Sequence, residues 1–287
     1  MRDELLESLP SAYDREALIG ASRAAYVIHQ TVGYEYTKPV SDLRQRLVIL
    51  PRERHGDQQR LVHRFNVRAQ GEARIRTRTD RFGNTIVNAG VPTVEHTIEF
   101  QTRALVIRTS TDGHPPPWNS AAPTQTRLTT ADEAIRQAAR SLGTSRDLLE
   151  TADAICELIH SSFTYAHDVT TVHTTAAQAW QLRSGVCQDM AHVMIAMCAS
   201  LGICARYVSG HLVGDGASHA WIEVLDPVRR VVVAIDPTHR RHTDLRYVTT
   251  ATGRDYRDVA PTSGTYTGHG SRGTLRISKV IRLAEVD

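Results

Sequence analysis

An α+β chain in two parts is what this sequence predicts: a small all-β sandwich, followed by a core in which helices are set apart from an antiparallel sheet. Three observations carry that prediction. Between about residues 24 and 110 apolar side chains return at every second position, the period of a half-buried strand. Between about 130 and 202 they return at every third and fourth position, as on a helix face, and from 204 onward the period drops back to two. The 287 residues suffice for one large domain or two modest ones, and a hydrophobic fraction of 41% can bury a sizeable core.

Residues 1–23 read as an N-terminal helical extension broken at Pro10, whose ring removes a backbone donor. The β-sandwich domain is placed at 24–115. Its clearest strand is TVEHTIEFQTRALVI (93–107), where Val94, His96, Ile98 and Phe100 alternate with Glu95, Thr97, Glu99 and Gln101. ARIRTRTD (73–80) leads into the turn RFGN (81–84), as short antiparallel strands of a sandwich would. Proline, serine and threonine concentrate in TDGHPPPWNSAAPTQT (111–126), which marks the junction. The second domain, 125–287, starts with helices at 130–142, bearing Ala134, Ile135 and Ala138, and at 146–161, bearing Leu148, Leu149, Ala152, Ile155, Cys156 and Ile159. A short helix near 175–182 follows. Strands are expected at 204–213, 217–225 and 230–236, and a last one, TLRISKVIRLA (274–284), is expected to close the same sheet.

Charge and composition exclude several classes. The net charge is +3, and arginine carries nearly all the positive charge because Lys38 and Lys279 are the only lysines. Arg74, Arg76 and Arg78 alternate along one strand, with Glu95 and Glu99 available on another, which describes a solvated sheet face and not a phosphate-tracking patch. No apolar run is long enough to cross a bilayer, and the charged N-terminal stretch lacks the apolar segment of a secretory signal. A cytoplasmic location, with no membrane or nucleic-acid partner, is therefore expected. The four cysteines, Cys156, Cys187, Cys198 and Cys204, match no zinc spacing, and a reduced compartment argues against disulfides.

The stretch that organises the rest is RSGVCQDMAHVMIAMCASLG (183–202). Met190, Ala191, Met194, Met197, Cys198 and Leu201 make one helix face, Ser184 is placed to cap the start, Asp189 suits the positive first turn, and Gly202 suits the left-handed stop. Cys187 then sits at a helix N-terminus, where unpaired N–H groups and the dipole favour a thiolate. Cys156, Cys198 and Cys204 read as core residues.

Downstream, ASHAWIEVL (217–225) and RVVVAIDP (230–237) read as two strands joined by the turn Asp226–Arg229. A hairpin symmetric about that turn places His219 directly opposite Asp236, with Cβ atoms roughly 4.5–5.5 Å apart, close enough for the carboxylate to hold the imidazole. The same register puts Ala220, Ile222 and Val224 on one face with Val231, Val233 and Ile235, and His219, Trp221 and Glu223 on the other with Val232, Ala234 and Asp236. A one-residue slip would scramble both sets. A sulfur at a helix head with a histidine and an orienting carboxylate on neighbouring strands points to nucleophilic catalysis.

The strings GVCQDMAH (185–192), ARYVSGHL (205–212), SHAWIEV (218–224) and IDPTH (235–239) resemble the transglutaminase-like superfamily in its bacterial branch of papain-type cysteine enzymes. FTYAHDVTTVHTTAAQAW (163–180) resembles the segment that leads into the family's catalytic helix, and GRDYRDVAPTSGTYTG (253–268) the segment after its last catalytic residue. YEYTKPVSDLRQRLVILPR (34–52) and DRFGN (80–84) resemble the family's N-terminal β-domain. The resemblance spans about residues 25–285 and implies a transglutaminase-like core behind a β-sandwich. It implies Cys187 as nucleophile, His219 as general base and then acid, and Asp236 as the residue that orients His219. Met190, the run Val231–Val233 without a nearby tryptophan, and His239 depart from the family's usual residues, which bears on pocket lining more than on the triad.

The implied chemistry is acyl transfer through a Cys187 thioester on an amide or peptide bond of a peptide or protein substrate. Water as acceptor gives an amidase or peptidase and an amine gives a transamidase, with hydrolysis the default. Gln188, Tyr165 and Trp221 are weaker candidates for substrate or oxyanion contacts, with packing or capping as the competing reading. Two other readings stay open, a ligase forming amides from carrier-bound acyl groups and a noncatalytic protein-binding module. The run DPTHRRH (236–242) offers Asp236, His239 and His242 to a zinc ion, but Asp236 is better used by His219. No cofactor and no metal are expected, and the calcium dependence of the superfamily's animal members has no acidic loop here to support it.

Overall fold

The computed structural model describes residues 18, 20–110, 118, 125–143, 147–214 and 218–287. Seven strands come first: β1 (Arg23–Tyr36), β2 (Val40–Leu50), β3 (Arg54–His55), β4 (Gln58–Arg68), β5 (Arg74–Thr79), β6 (Thr85–Val94) and β7 (Thr97–Thr109). Helices α1 (Glu133–Ser141) and α2 (Leu148–Ser162), the short β8 (Thr164–Tyr165), α3 (Ala176–Leu182), β9 (Ser184–Gly185) and α4 (Cys187–Ser200) follow. Then come β10 (Cys204–Leu212), β11 (Ser218–Asp226), β12 (Val231–Asp236), β13 (Arg241–His242), β14 (Tyr247–Gly253), the one-turn α5 (Tyr256–Val259), β15 (Thr262–Thr267) and β16 (Gly273–Val286). The fold is α+β, as expected, with a β-sandwich ahead of a helical core laid on an antiparallel sheet. Of the helical extension expected over 1–23, residues 1–17 and 19 lie outside the described residues. Leu18 is buried, and Arg23 already starts β1. Most of the junction stretch 111–126 also lies outside them.

The sandwich pairs a sheet of order β16-β1-β7-β4-β3 with one of order β15-β2-β6-β5. Its interior is Val32, Leu43, Leu47, Ile49, Val87, Val91, Ile98 and Phe100, all at most 2% exposed. Two expectations change here. The run 93–107 is not one strand, because β6 ends at Val94 and β7 starts at Thr97, with the exposed Glu95 and His96 making the turn between them. Alternation continues across that turn because two residues preserve parity, which is why period alone could not see it. The last strand, moreover, does not close the sheet of the second unit. β16 pairs along nearly its whole length with β1, from Ala24 opposite Val286 to Tyr36 opposite Gly273, and β15 pairs with β2. The chain leaves the sandwich at Thr109 and comes back at Thr262 to complete both of its sheets.

The second unit is a sheet of order β13-β12-β11-β10-β14, with α4 packed across it. Ala220, Ile222, Val224 and Ile235 from the sheet join Ile135, Ile155, Ile159, Met194 and Met197 from the helices in one apolar cluster. Helix α4 is not the amphipathic helix its periodicity suggested. Every residue from Cys187 to Cys198 is buried, because α1, α2 and α3 cover the side that the sheet does not. Gly202 ends it as expected, with φ +74° and the Ile203 N–H donating to the Cys198 carbonyl at 2.9 Å.

The two units share a polar seam. β14 is an edge strand of its sheet, and two side-chain amides from the sandwich complete its ladder. Gln58 donates to the Thr249 carbonyl and accepts the Thr249 N–H, both at 2.8 Å. Asn84 does the same to Thr252, at 2.8 and 2.9 Å. An open edge is thereby satisfied without a strand. Alongside, Glu223 of β11 accepts from His55 at 2.6 Å and from Arg206 Nε at 2.7 Å, with both the His55 and Glu223 side chains 4% exposed. Burial works against the Glu223 carboxylate, but His55 and Arg206 outweigh it and hold the group well below the usual carboxylate range.

A depressed carboxyl contributes stability that is present above its unfolded value and lost as pH falls. Glu223→Ala strands Arg206 and His55 in the seam and is expected to cost about 3–5 kcal/mol of unfolding free energy. Urea titration at pH 7 checks this. In the unaltered protein the Glu223 contribution should fade as pH drops below the ordinary glutamate range, so the loss caused by the substitution should shrink in acid.

Candidate active site

Cys187 is the first residue of α4 and is 8% exposed. Ser184 does not cap this helix. It lies in β9, which pairs in parallel with β8, and its hydroxyl donates to the Thr164 carbonyl at 3.2 Å. The cap comes from inside the helix. Asp189 turns back so that its Oδ2 accepts the Val186 N–H at 2.9 Å and the Thr170 hydroxyl at 2.7 Å. This fold-back explains Gly185, since a Cβ there would stand 2.5 Å from Asp189 Oδ2. Burial pushes the Asp189 carboxyl up, and these hydrogen bonds oppose the shift. The carboxylate thus holds the backbone just ahead of Cys187 and keeps the helix entry rigid.

The hairpin register differs from the symmetric expectation by two positions. Asp226 pairs with Val231 and Ile222 with Ile235, so the loop is Pro227–Arg230 and Asp236 falls level with Trp221, not His219. The cause is local. Asp226 Oδ1 accepts the Val228 and Arg229 N–H groups at 2.9 and 3.0 Å, and Arg230 takes a left-handed φ of +57°, which moves the turn one residue along the chain. A shift of two keeps parity, so the face assignment survives. Ala220, Ile222, Val224 and Ile235 lie in the helix-side cluster, whereas Trp221 packs with Val208, Leu212 and Tyr247. His219 is one diagonal step from Asp236, and its Nε2 still meets Asp236 Oδ2 at 2.8 Å.

Asp236 is fully buried and its two oxygens collect five contacts. Oδ2 faces His219 Nε2 and His239 Nδ1, each at 2.8 Å, and accepts the Tyr247 hydroxyl at 2.7 Å. Oδ1 accepts the Thr238 N–H at 2.8 Å and the His239 N–H at 3.3 Å. Arg241 Nε donates to the Tyr247 oxygen at 2.8 Å, which orients that hydroxyl toward the carboxylate. Burial opposes the Asp236 charge, and the donors overcome it, so its carboxyl lies far below the usual range.

The same opposition, with a different outcome in sign, acts on His219. Burial works against its cation, but the hydrogen bonds to Asp236 and to the Cys187 sulfur prevail and raise the imidazole to about 10. Because Nε2 is committed to Asp236, Nδ1 is the nitrogen that remains for the sulfur. His219 therefore stands between the Cys187 sulfur, whose interaction helps to raise its imidazole, and Asp236, to which it is hydrogen-bonded, the three residues coming from a helix head and two strands.

The weaker candidates separate. Trp221 is 1% exposed, stacks on His219 with ring centroids 6.2 Å apart and meets Tyr247 edge-on, so it shelves the imidazole and is not open to a substrate. Gln188, in the first turn of α4, is 9% exposed. Tyr165 is 49% exposed, and β8 sets it beside Gly185 at the entry to Cys187. The zinc set read from 236–242 is not assembled, because His242 turns away to Asp153 at 2.8 Å. His219, Asp236 and His239 do bring their ligand atoms within 4.8 Å of one another, but each contact is already a hydrogen bond of the carboxylate. Cys156, Cys198 and Cys204 are buried, as read, and burial pushes the Cys156 and Cys198 thiols up to about 12. Sequence reasoning missed Tyr247 and the second role of His239. His239 is within three residues of Asp236 and was legible as a neighbour; Tyr247 arrives from the far edge of the sheet and had no signal.

Comparison with known proteins bears on the family and the fold. Residues 136–237 match the model of the transglutaminase-like superfamily, and residues 26–107 match that of the bacterial transglutaminase-like N-terminal region. An uncharacterized protein of Mycobacterium tuberculosis is 29% identical over 295 residues, covering 89% of this chain and 88% of the relative. Another, from Mycobacterium leprae, is 37% identical over 134 residues, which is 43% of this chain and 47% of that protein. Among solved structures, a candidate cysteine protease from Cytophaga hutchinsonii superposes with a TM-score of 0.75 at 20% identity, over 93% of each chain, and so shares the fold of both units. Matched in its core and in the β-region ahead of it, the chain belongs to the transglutaminase-like superfamily and carries that superfamily's bacterial N-terminal region.

Proposed function

We propose that this protein is a cysteine-dependent acyl transferase that opens amide or peptide bonds through a thioester on Cys187. The single observation that carries this reading is the His219 imidazole, hydrogen-bonded through Nε2 to the buried Asp236 at 2.8 Å and raised by its interactions with both Asp236 and the Cys187 sulfur. The Cys187 thiolate attacks the substrate carbonyl carbon, and the carbonyl electrons move onto oxygen. Backbone N–H groups at the head of α4 face that oxygen. His219, as imidazolium, gives its Nδ1 proton to the departing nitrogen, the C–N bond breaks, and the acyl group stays on sulfur. Water then adds to the thioester while neutral His219 takes its proton, and the acid leaves as the thiolate re-forms. An amine in place of water would give transamidation. Asp236 acts through His219: it fixes the tautomer and ring orientation and supports the cation.

Two measurements test the reading. Intact-mass analysis after brief iodoacetamide exposure should show a single alkylation, at Cys187, and Cys187→Ser should abolish it together with turnover of amide substrates, by about 10³-fold or more. Equal labelling of the other three buried cysteines, or turnover surviving in Cys187→Ser, overturns it. For the second, Asp236→Asn removes the charge that opposes burial, so the His219 imidazole, followed by nitrogen-15 NMR, should titrate lower by roughly 1–3 pH units. The sign is fixed by the raised value in the intact protein. His219 ionisation stabilises the fold fully below its unfolded value near 6.5 and loses that contribution as pH rises toward about 10. In Asp236→Asn that alkaline loss should move toward neutral pH.

A further inference from the structure

β12 ends at Asp236, and a turn over residues 237–240 carries the chain back into β13, where Arg241 pairs with Asp236. The turn is fixed at two points. Arg240 takes a left-handed φ of +51°, and the Thr238 carbonyl accepts from His160 Nδ1 of α2 at 3.1 Å. His239, inside this turn, grips the Asp236 carboxylate twice. Its backbone N–H donates to Oδ1 at 3.3 Å, and its Nδ1 meets Oδ2 at 2.8 Å. Holding both oxygens keeps the carboxylate from rotating about its Cβ–Cγ bond.

Oδ2 is also the oxygen that His219 uses, through Nε2, at 2.8 Å. The two imidazole rings, with centroids 5.1 Å apart and planes inclined at 56°, thus converge on one atom. An ionised carboxylate only accepts hydrogen bonds, so His219 Nε2 and His239 Nδ1 each carry the hydrogen of their contact. With the Tyr247 hydroxyl at 2.7 Å, Oδ2 serves three side-chain donors. Each donor stabilises the anion, and an anion stabilised by others pulls less on any one of its protons.

The reaction described above uses Asp236 only through His219 and gives His239 no part. It does, however, set a limit on how hard Asp236 can pull. His219 gives up a proton in the first step and takes one in the second, yet Asp236 and the Cys187 sulfur already raise its imidazole to about 10. A stronger pull would keep the cation from releasing that proton. The titratable groups that face His219 are Cys187 of α4, Asp236 of β12, Tyr247 of β14 and His239 of the turn.

We propose that His239 is a second positioning residue of the site: acting through Asp236, it fixes the carboxylate and takes up part of its charge, so that His219 is oriented without being held too tightly to exchange its proton. The inference rests on the acyl-transfer reading and deepens it by naming what sets the proton-transfer balance of that site. The His239 side chain is 34% exposed and that of Asp236 fully buried, so the role can be tested at His239 with less disturbance of packing than at the carboxylate itself.

The test reads His219 directly and the chemistry separately. In the full chain carrying Cys187→Ala, the His219 imidazole is followed by nitrogen-15 NMR, its signal assigned by its loss in His219→Gln. His239→Phe, which keeps a ring and removes the donor, should move the His219 titration upward by roughly half a pH unit or more. His239→Asn should restore it, because asparagine Nδ2 is bonded to Cγ as histidine Nδ1 is and also donates. With Cys187 intact, the protein is exposed briefly to 4-nitrophenyl acetate, and loss of the acetyl group from Cys187 is followed by intact mass. That step needs neutral His219, so His239→Phe should slow it about threefold or more at pH 7 and displace its pH profile upward by the same amount, with His239→Asn close to wild type and thermal unfolding showing both variants folded. A His219 titration unmoved by His239→Phe, or either effect equally large in His239→Asn, overturns the role of His239 and leaves the acyl-transfer reading standing. The expected titration shifts, with no acetyl group ever taken up by Cys187, support the role of His239 and overturn the acyl-transfer reading.

Discussion

A carboxylate with no exposed surface has to find all its donors in the protein, and Asp236 is the group around which this constraint is met. Its five contacts come from its own loop, from β11 and from β14. Satisfying them fixes where those segments stand. The hairpin cannot slip, because a one-residue change of register would turn Asp236 to the opposite face of the sheet and leave both imidazoles without an acceptor. Trp221 and Tyr247 pack against the His219 ring from behind, so the imidazole has one orientation open to it, with Nε2 on the carboxylate and the other nitrogen toward sulfur.

That arrangement depends on the sandwich more than a division into two domains suggests. β14, which supplies Tyr247, is an edge strand whose spare backbone groups are taken up by Gln58 and Asn84 from the other unit. β11, which supplies His219, is tied through Glu223 to His55 in the same neighbouring unit. Residues 262–287 return to pair with β1 and β2, with Ser22 and Arg23 hydrogen-bonded to Asp287. The second sheet therefore meets the helices through an apolar cluster, and meets the sandwich both through buried polar contacts and through the apolar packing of Ile28, Ala104 and Val106 on Val213 and Val248.

Charge follows the same division. On the helix side Asp189 is turned inward to hold the entry to α4, and burial pushes its carboxyl upward; at the hairpin Asp236 is surrounded by donors and stays ionised. Two aspartates in one site thus have opposite tendencies because one is short of donors and the other is rich in them. Lys279 adds a positive group from the sandwich, donating to the Ser218 hydroxyl one residue before His219.

Period and turn chemistry were legible from residues alone. The switch from two to three-and-four and back located the first β-region, the helices and strands β10 to β12 to within a few residues, and Gly202 marked the end of α4, but period gave no sign that β15 and β16 belong to the sandwich. Parity in the β11–β12 hairpin predicted both faces correctly even though the register was two positions off, because side-chain direction repeats every two residues and the exact loop depends on how Asp226 bonds its own turn. What one-dimensional pattern could not supply was anything set by distant segments. Helix α4 is buried on all sides because three helices cover it; β16 pairs with β1 across some 250 positions; and Tyr247, Gln58 and Asn84 find their partners only once two sheets meet. The sequence by itself determined the elements and the chemical types at the site, since those follow from local spacing. The tertiary structure alone decided which polar groups meet, since a hydrogen bond between remote residues depends on positions in space that no local period encodes.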